Sequence, residues 1–254
     1  MKFACLTVFL CLTSGVVPHV ALGVDSEYAP AVKRFVNTVK NGSQRELARL
    51  VCYPLERNYP LPDIHTGIGF VERFDELFSK ELLHEVAHSD IQRDWRSMGW
   101  RGIFFKNSVL RLSQKGKIRT LYSNTSIEEE KRARLIEEER NGLHSSIHKY
   151  IEPVCKWKTE DSRIRIDRTR EGEYRYSSWA AGEDMSAKPD LILNAGRLVR
   201  DGTGGNHYYE WKNGSHSYRF SVNVIGTSRT PPADLRVYKD GKVISDQPAV
   251  EDTR

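Results

Sequence analysis

The sequence predicts an α+β protein in which a part with helices and a sheet precedes an all-β part. Apolar residues recur at helical spacing early in the chain, the period changes to two from Trp95, and short β-rich runs separated by turn residues follow Cys155. We therefore expect a cleaved leader at residues 1–23, an α+β domain at 24–154 that includes a charged connecting helix, and an all-β sandwich or barrel-like domain at 155–254.

The start of the chain has the features of a cleavable secretory signal peptide. Lys2 supplies one positive charge, Phe3–Val17 is an apolar stretch, and Ala21–Gly23 has small residues at both ends. The apolar stretch is shorter than the about 20 residues that a helix needs to span a bilayer. We expect the mature chain to begin at Val24, to be periplasmic or secreted, and not to span a membrane.

Two short helices are predicted at the start of the mature chain. Val32–Val39 keeps helical spacing, and Asn41-Gly42 ends the run. Ser43 can cap a second helix over Gln44–Cys52, because Glu46 stands three residues later and completes a capping box.

A third helix and a small sheet follow, and a charged helix ends this part of the chain. The third helix is predicted over Phe70–Val86 with a break at Ser79. The strands are predicted at Gly102–Lys106, Val109–Ser113 and Lys117–Ser123. Ser126 is the expected N-cap of the charged helix, Glu129 completes its capping box, and Asn141-Gly142 ends it.

Almost all of the chain after Cys155 indicates β structure. Hairpin turns are predicted at Asn213-Gly214 and Asp240-Gly241, and a further turn at Glu171-Gly172. The predicted strands alternate in polarity or are rich in β-forming residues: Arg163–Arg168, Tyr174–Trp179, Leu191–Leu193, His207–Trp211, Ser217–Ile225 and Leu235–Tyr238. Short strands with regular turn signals are typical of a small sandwich or barrel.

The first part of the mature chain resembles the NTF2-like, or SnoaL-like, superfamily over roughly residues 28–123. The resemblance rests on the order of elements: a helix with Phe35, a break at Lys40–Ser43, a helix with Leu47 and Leu50-Val51, then a third helix and strands. It implies a cone in which a bent antiparallel sheet wraps around a long helix and leaves an apolar pocket. The superfamily contains isomerases, dehydratases, hydrolases and non-catalytic binders, so the resemblance implies a pocket but no particular reaction.

Two cysteines, Cys52 and Cys155, remain after removal of the leader. In an oxidising compartment an isolated pair usually forms a disulfide. Closing a loop of about 100 residues in this way stabilises a fold by roughly 4–5 kcal/mol in the chain-entropy model. We expect a Cys52–Cys155 bridge, and the alternative is a pair of buried free thiols.

The predicted third helix contains an H-E-x-x-H motif at residues 84–88. On a helix His84 and His88 share one face and can bind zinc, while Glu85 acts as general base. A catalytic zinc needs three protein ligands, and Glu137 is the residue to consider as the third. We predict no metal and no cofactor, and a zinc site formed by these residues is the alternative.

Aromatic residues are concentrated in the all-β part, and Tyr208, Tyr209 and Trp211 form the candidate binding surface. Neighbouring residues of a strand point to opposite faces, so one of the two tyrosines should be exposed. Exposed Tyr and Trp are suited to stacking on sugars or to protein interfaces. The alternative is that these residues are cross-strand pairs in the core.

Charge and composition exclude some classes of partner. The 254 residues are 39% hydrophobic and 29% charged, with a formal net charge of +5. Basic and acidic residues are interleaved, so the chain has no continuous basic stripe for a phosphate backbone, and we exclude nucleic acid as a partner. Sequons for N-glycosylation stand at Asn41, Asn124 and Asn213.

Export without a complete catalytic set predicts a non-enzymatic binding or inhibitor-type protein whose partner is a protein or a cell-envelope ligand. Two enzymatic alternatives are a zinc metallohydrolase that uses the H-E-x-x-H motif, and a metal-free pocket enzyme of the NTF2-like kind acting on a small apolar substrate. Measuring the metal content of the purified mature protein distinguishes the zinc metallohydrolase from the other two hypotheses.

Overall fold

The computed structural model describes residues 23–122 and 125–252. The predicted signal peptide therefore lies almost wholly outside the described residues, as does the sequon at Asn124. The helices are α1 (Ala29–Asn41), α2 (Gln44–Ala48), α3 (Gly67–Glu72), α4 (Phe74–Leu77), α5 (Lys80–Ala87) and α6 (Ser126–Gly142). None of these described helices is long and apolar enough to cross a membrane.

The described residues also contain two short 3₁₀ helices, Gly99–Arg101 and Ser145–Ile147, and twelve strands. They are β1 (Trp95–Ser97), β2 (Ile103–Phe105), β3 (Leu110–Leu112), β4 (Ile118–Leu121), β5 (Glu152–Lys158), β6 (Ser162–Arg170), β7 (Glu173–Ala180), β8 (Leu191–Arg200), β9 (His207–Asn213), β10 (His216–Val222), β11 (Ala233–Lys239) and β12 (Lys242–Glu251). The first four form one antiparallel sheet, and the other eight form a closed barrel.

The chain divides into two compact units at positions that differ from the predicted boundary between residues 154 and 155. The first unit contains the described residues up to Cys52 together with Lys80–Tyr122, and the second contains Tyr53–Ser79 and everything described from Thr125 onwards. Two early helices, α3 and α4, therefore belong with the barrel. The α+β class and the all-β character of the last hundred or so residues are confirmed.

The first unit packs α1 against α5 and contains the four-stranded sheet in the order β1-β2-β3-β4. Its aromatic core is formed by Phe35, whose ring centroid lies 5.9 Å from that of Trp95, and by Phe105, 4.8 Å from Trp95. The capping box predicted before α2 is confirmed, since the Ser43 hydroxyl accepts from the Glu46 N–H and the Glu46 carboxylate accepts from the Ser43 N–H.

The break predicted at Ser79 is confirmed, because α4 ends at Leu77 and α5 begins at Lys80, but a second break at Arg73 makes the predicted third helix three helices. The C-cap of α3 is Arg73, where φ is −103° and ψ is 15°, and the C-cap of α4 is Phe78, which is extended. The rings of Phe70, Phe74 and Phe78 pack on each other with centroids 5.1–6.0 Å apart. These ring contacts accompany the change of direction at Arg73.

The barrel follows the order β5-β6-β7-β8-β9-β10-β11-β12 and closes by pairing β12 with β5. The predicted turn residues Glu171-Gly172 and Asp240-Gly241 occupy the two loop positions of their hairpins, as the register of the flanking strands shows. In the β9–β10 hairpin the loop is Gly214-Ser215, one residue later than predicted. Inward side chains fill the barrel: Ile164, Ile166, Tyr176, Leu193, Tyr209, Trp211, Phe220, Ala233, Leu235 and Ala249.

The charged helix α6 begins one residue earlier than predicted. Its N-cap is Thr125, not Ser126, and the Thr125 hydroxyl accepts from the Glu128 N–H at 3.1 Å. This register places the Glu128 carboxylate, which is buried, 2.8 Å from Nε of Arg57. The buried ion pair therefore selects the threonine as cap over the adjacent serine.

The outer face of β6 and β7 is covered and carries a buried network of charges. The Asp167 carboxylate accepts from Nε of Arg165 at 2.8 Å and from Nη2 of Arg175 at 2.6 Å. Arg165 also donates to Glu139 of α6 at 2.9 Å, and Arg175 donates to the main-chain oxygen of Ile147 at 2.6 Å. Strand residues that point away from the barrel interior are thus buried by α6 and the segment that follows it.

Cys52 and Cys155 are both free cysteines in this structure, and the bridge between them stays a prediction. Cys52 belongs to the first unit, whereas Cys155 lies in β5 and packs against the side chains that fill the barrel. Burial raises the pKa of the Cys155 thiol to about 12. A partly buried thiol that packs against the core in this way behaves as a small apolar residue.

Cys155 should resist alkylation in the folded protein. At pH 8 iodoacetamide should modify Cys155 slowly, because little of it is thiolate and its side chain is partly buried, and urea should make it react faster. Peptide mass spectrometry of protein kept free of reductant measures both states. If neither Cys52 nor Cys155 is alkylated in the unreduced, denatured chain, the two form a disulfide after all.

Candidate functional site

The H-E-x-x-H motif lies on α5, where the structure brings its two histidines together. The His84 and His88 rings stack with centroids 4.2 Å apart, and Nδ1 of His88 is 2.8 Å from the main-chain oxygen of His84. The Glu85 carboxylate accepts from Nζ of Lys106 at 2.9 Å, and Glu137 belongs to α6 in the second unit. Within the described part of the chain, no group of three or more His, Cys, Asp or Glu is arranged to hold a metal ion.

The predicted surface of Tyr208, Tyr209 and Trp211 is divided by the barrel wall. Tyr209 and Trp211 point inward and are 5% and 1% exposed, and Nε1 of Trp211 donates to the main-chain oxygen of Tyr174 at 2.9 Å. Tyr208 points outward and is half-buried. The three residues therefore do not form one surface, because strand neighbours alternate between the two faces.

Tyr208 lies in a cleft of about 780 Å³ on the outer side of β9–β12, which we call the outer cleft. Each of the four strands contributes outward side chains that are nearly all polar: Tyr208, Arg219, Ser221, Asp234, Arg236, Asp246 and Pro248. Cross-strand register places Ser221 directly between Tyr208 and Asp234, so these side chains share one face.

Arg219 lies between two tyrosine rings in the outer cleft. Its guanidinium carbon is 4.2 Å from the centroid of Tyr208 and 5.5 Å from that of Tyr238. One nitrogen, Nη2, is 3.4 Å from Oε1 of Glu210, but Nε is buried and has no hydrogen-bond partner. The hydrogen bond from Arg197 lowers the pKa of Glu210, burial opposes this, and Arg219 adds to the lowering, so Glu210 is a carboxylate.

Asp234 is the most buried charged residue of the outer cleft, at 5% exposure. Its Oδ2 accepts from Nδ2 of Asn223 at 3.1 Å. Its Oδ1 is buried without a hydrogen-bond partner, and the Nε of Arg236 is 3.4 Å away. Arg236 itself donates to Asp246 at 3.1 Å. Leaving a buried carboxylate oxygen without a hydrogen bond is costly, and the charge of Arg236 offsets part of that cost.

The loops beside the outer cleft are tied to each other. The side-chain amide of Asn206 donates to the main-chain oxygen of Ile225 at 3.0 Å, and its oxygen accepts from the Ile225 N–H at 2.8 Å. Asn223 donates to the main-chain oxygen of Pro231 at 3.0 Å. These bonds hold the rim in place before any ligand binds, which lowers the ordering cost of binding.

Sequence reasoning selected the aromatic residues and missed Arg219 and Asp234. The sequence feature that could have indicated them is the alternation of polar and apolar residues within β10 and β11, where the apolar residues fill the barrel. Arg219 and Asp234 fall on the same side of that alternation as Tyr208, and only the register between strands makes them neighbours.

No family model matches the chain, and neither a curated protein nor a solved structure matches it significantly.

Proposed function

We propose that the protein is an exported, non-enzymatic binding protein whose outer cleft holds a polyhydroxylated ligand, a glycan of the cell envelope or of a partner. The observation that carries this proposal is the row of polar side chains beside Tyr208 on one face, in which two buried atoms form no hydrogen bond: Oδ1 of Asp234, which has an ion pair with Arg236, and Nε of Arg219. A sugar hydroxyl both donates and accepts, so adjacent hydroxyls match such a pair.

The charges of the outer cleft also favour an uncharged polar ligand. Charges of both signs line it: two arginines, Arg219 and Arg236, and three aspartates, Asp201, Asp234 and Asp246, which leave a net charge of −1. A strongly acidic or basic ligand would meet like charges as well as opposite ones, whereas a neutral polyol meets only hydrogen-bonding groups. Tyr208 adds an aromatic surface with a polar end, which suits the apolar face of a sugar ring.

A glycan array tests the proposal. The mature chain should bind a subset of immobilised glycans, and calorimetry with a glycan from that subset should show binding at least about tenfold weaker for Tyr208→Ala and for Asp234→Asn. Trp100→Ala is the matched control, because Trp100 is an exposed aromatic residue (66%) of the first unit. Equal binding by wild type and Tyr208→Ala, or no glycan bound by the wild type, would contradict the proposal.

We also propose that the first unit has an NTF2-like fold. Such a fold would contain an apolar pocket. It is supported by the combination of helices with an antiparallel sheet in the first unit. Residues 53–79 of the resembling range belong to the second unit, so the proposal applies to the described residues up to Cys52 and to Lys80–Tyr122. In the zinc alternative Glu85 would act as general base. Its carboxylate is already engaged in an ion pair with Lys106, which counts against that role.

A further inference from the structure

A second pocket, which we call the mouth pocket, lies at the end of the barrel where β5, β7 and β9 begin. Its volume is about 230 Å³, and it is separate from the outer cleft. The barrel contributes Tyr209, which belongs to its core, Tyr174, which packs against that core, and Arg168 near the end of β6. Arg132 of α6 and Glu152 of β5 complete the polar part of the wall.

The charged groups of the mouth pocket leave an excess of one positive charge. Oε1 of Glu152 accepts from Nη2 of Arg132 at 2.7 Å, and Oε2 accepts from Nη2 of Arg168 at 2.8 Å. Burial raises the pKa of Glu152, but the hydrogen bonds and charges of the two arginines outweigh it and hold the pKa below its usual range. One carboxylate therefore faces two guanidinium groups, and Nη1 of each has no hydrogen bond to a described residue.

The two tyrosines supply further donors. The rings of Tyr174 and Tyr209 meet edge to face with centroids 4.9 Å apart. Neither hydroxyl forms a hydrogen bond with a described residue, although Tyr209 is only 5% exposed. Burial raises the pKa of Tyr209, so its phenol keeps its proton and can act only as a neutral donor or acceptor at physiological pH.

The geometry points to a binding site for a small organic acid in the mouth pocket, with its carboxylate on the donors of Arg132, Arg168 and Tyr209 and its apolar body against Val154 and the tyrosine rings. An excess positive charge with phenolic and guanidinium donors is the complement of a carboxylate. The volume is below the about 300–1,000 Å³ of sites for drug-sized ligands, so the ligand is small. This site is independent of the outer cleft and of the glycan proposed there.

Benzoate is the probe for this inference, because it combines one carboxylate with a flat apolar body. Calorimetric titration of the mature chain should give saturable binding that Tyr209→Phe weakens about tenfold through loss of one hydroxyl donor to a charged group. The matched control is Tyr208→Phe, which removes the hydroxyl of the neighbouring residue on the outer face and should leave benzoate binding unchanged. Arg168→Gln, at a half-exposed position, should weaken binding at least as much as Tyr209→Phe.

Three results would overturn the inference. They are the absence of saturable benzoate binding, equal affinity for benzoate in wild type and Tyr209→Phe with an unchanged melting temperature, and inorganic phosphate binding as tightly as benzoate. The last result would assign the pocket to inorganic anions, since phosphate has no apolar body. Glycan binding by Tyr209→Phe should match the wild type, so failure of one proposal is distinguishable from failure of the other.

Discussion

Replacing Asp167 with asparagine should lower the free energy of unfolding by about 3–5 kcal/mol, which is the cost of removing one partner from a buried ion pair. Asp167 is fully buried, and its two oxygens each accept from a different arginine, Arg165 and Arg175. The amide keeps the size of the side chain but removes the charge and turns one acceptor into a donor that faces a guanidinium group. Urea denaturation followed by circular dichroism measures the change.

Asp240→Asn is the matched control for this substitution. Asp240 is exposed in the β11–β12 turn and has a φ of 49°, which asparagine tolerates well. Its free energy of unfolding should stay within about 0.5 kcal/mol of the wild type. A double-mutant cycle of Asp167→Asn with Arg175→Met should reveal a coupling energy of about 1–3 kcal/mol. A change below about 1 kcal/mol for Asp167→Asn would show that the network does not support the barrel.

Replacing Gly196 with alanine should cost about 3 kcal/mol, because the new methyl group enters the space of the Trp211 indole. A Cβ at Gly196 would lie 2.0 Å from Nε1 of Trp211 and 2.4 Å from the nearest ring carbon. The indole cannot move freely, since it is buried in the filled barrel and bound to the main-chain oxygen of Tyr174. The substitution therefore combines overpacking with the loss of a buried hydrogen bond.

The readout is the free energy of unfolding together with near-ultraviolet circular dichroism, which reports on the fixed environment of Trp211. Gly182→Ala is the control, because nothing lies within 4 Å of a Cβ at Gly182. This control should change stability by no more than about 0.5 kcal/mol. If both substitutions have the same small effect, the indole is not held as the structure places it.

The strands with alternating polarity and tight turns were accessible to sequence reasoning, whereas β5 and β12 were not. Glu171-Gly172 and Asp240-Gly241 define their hairpins by local backbone preference alone. β5 contains Pro153, and β12 contains Pro248 and is largely exposed. Their β structure depends on pairing with distant strands, which local sequence does not encode.

For the outer cleft, the sequence predicts only that neighbouring side chains of a strand point to opposite faces. One of Tyr208 and Tyr209 had to face outward, and the structure shows that it is Tyr208. That Arg219 and Asp234 accompany it depends on the register of three strands, which is a tertiary property. The Cys52–Cys155 bridge was inferred from the number of cysteines in the mature chain and from the expected oxidising compartment. Neither argument contains the distance between the two residues.

The seam between β12 and β5 should make closure of the barrel slow. Within the described residues, Val250 and Glu251 are the ones that pair with β5, and Asp252 adds a main-chain bond to Lys156 and a buried ion pair with Arg163 at 2.6 Å. These contacts join segments about 90 residues apart, so closing the barrel requires a large loss of chain entropy before the contacts form. We expect a chain in which this seam has not yet formed to expose the edges of β5 and β12 and to be most vulnerable to aggregation in that interval.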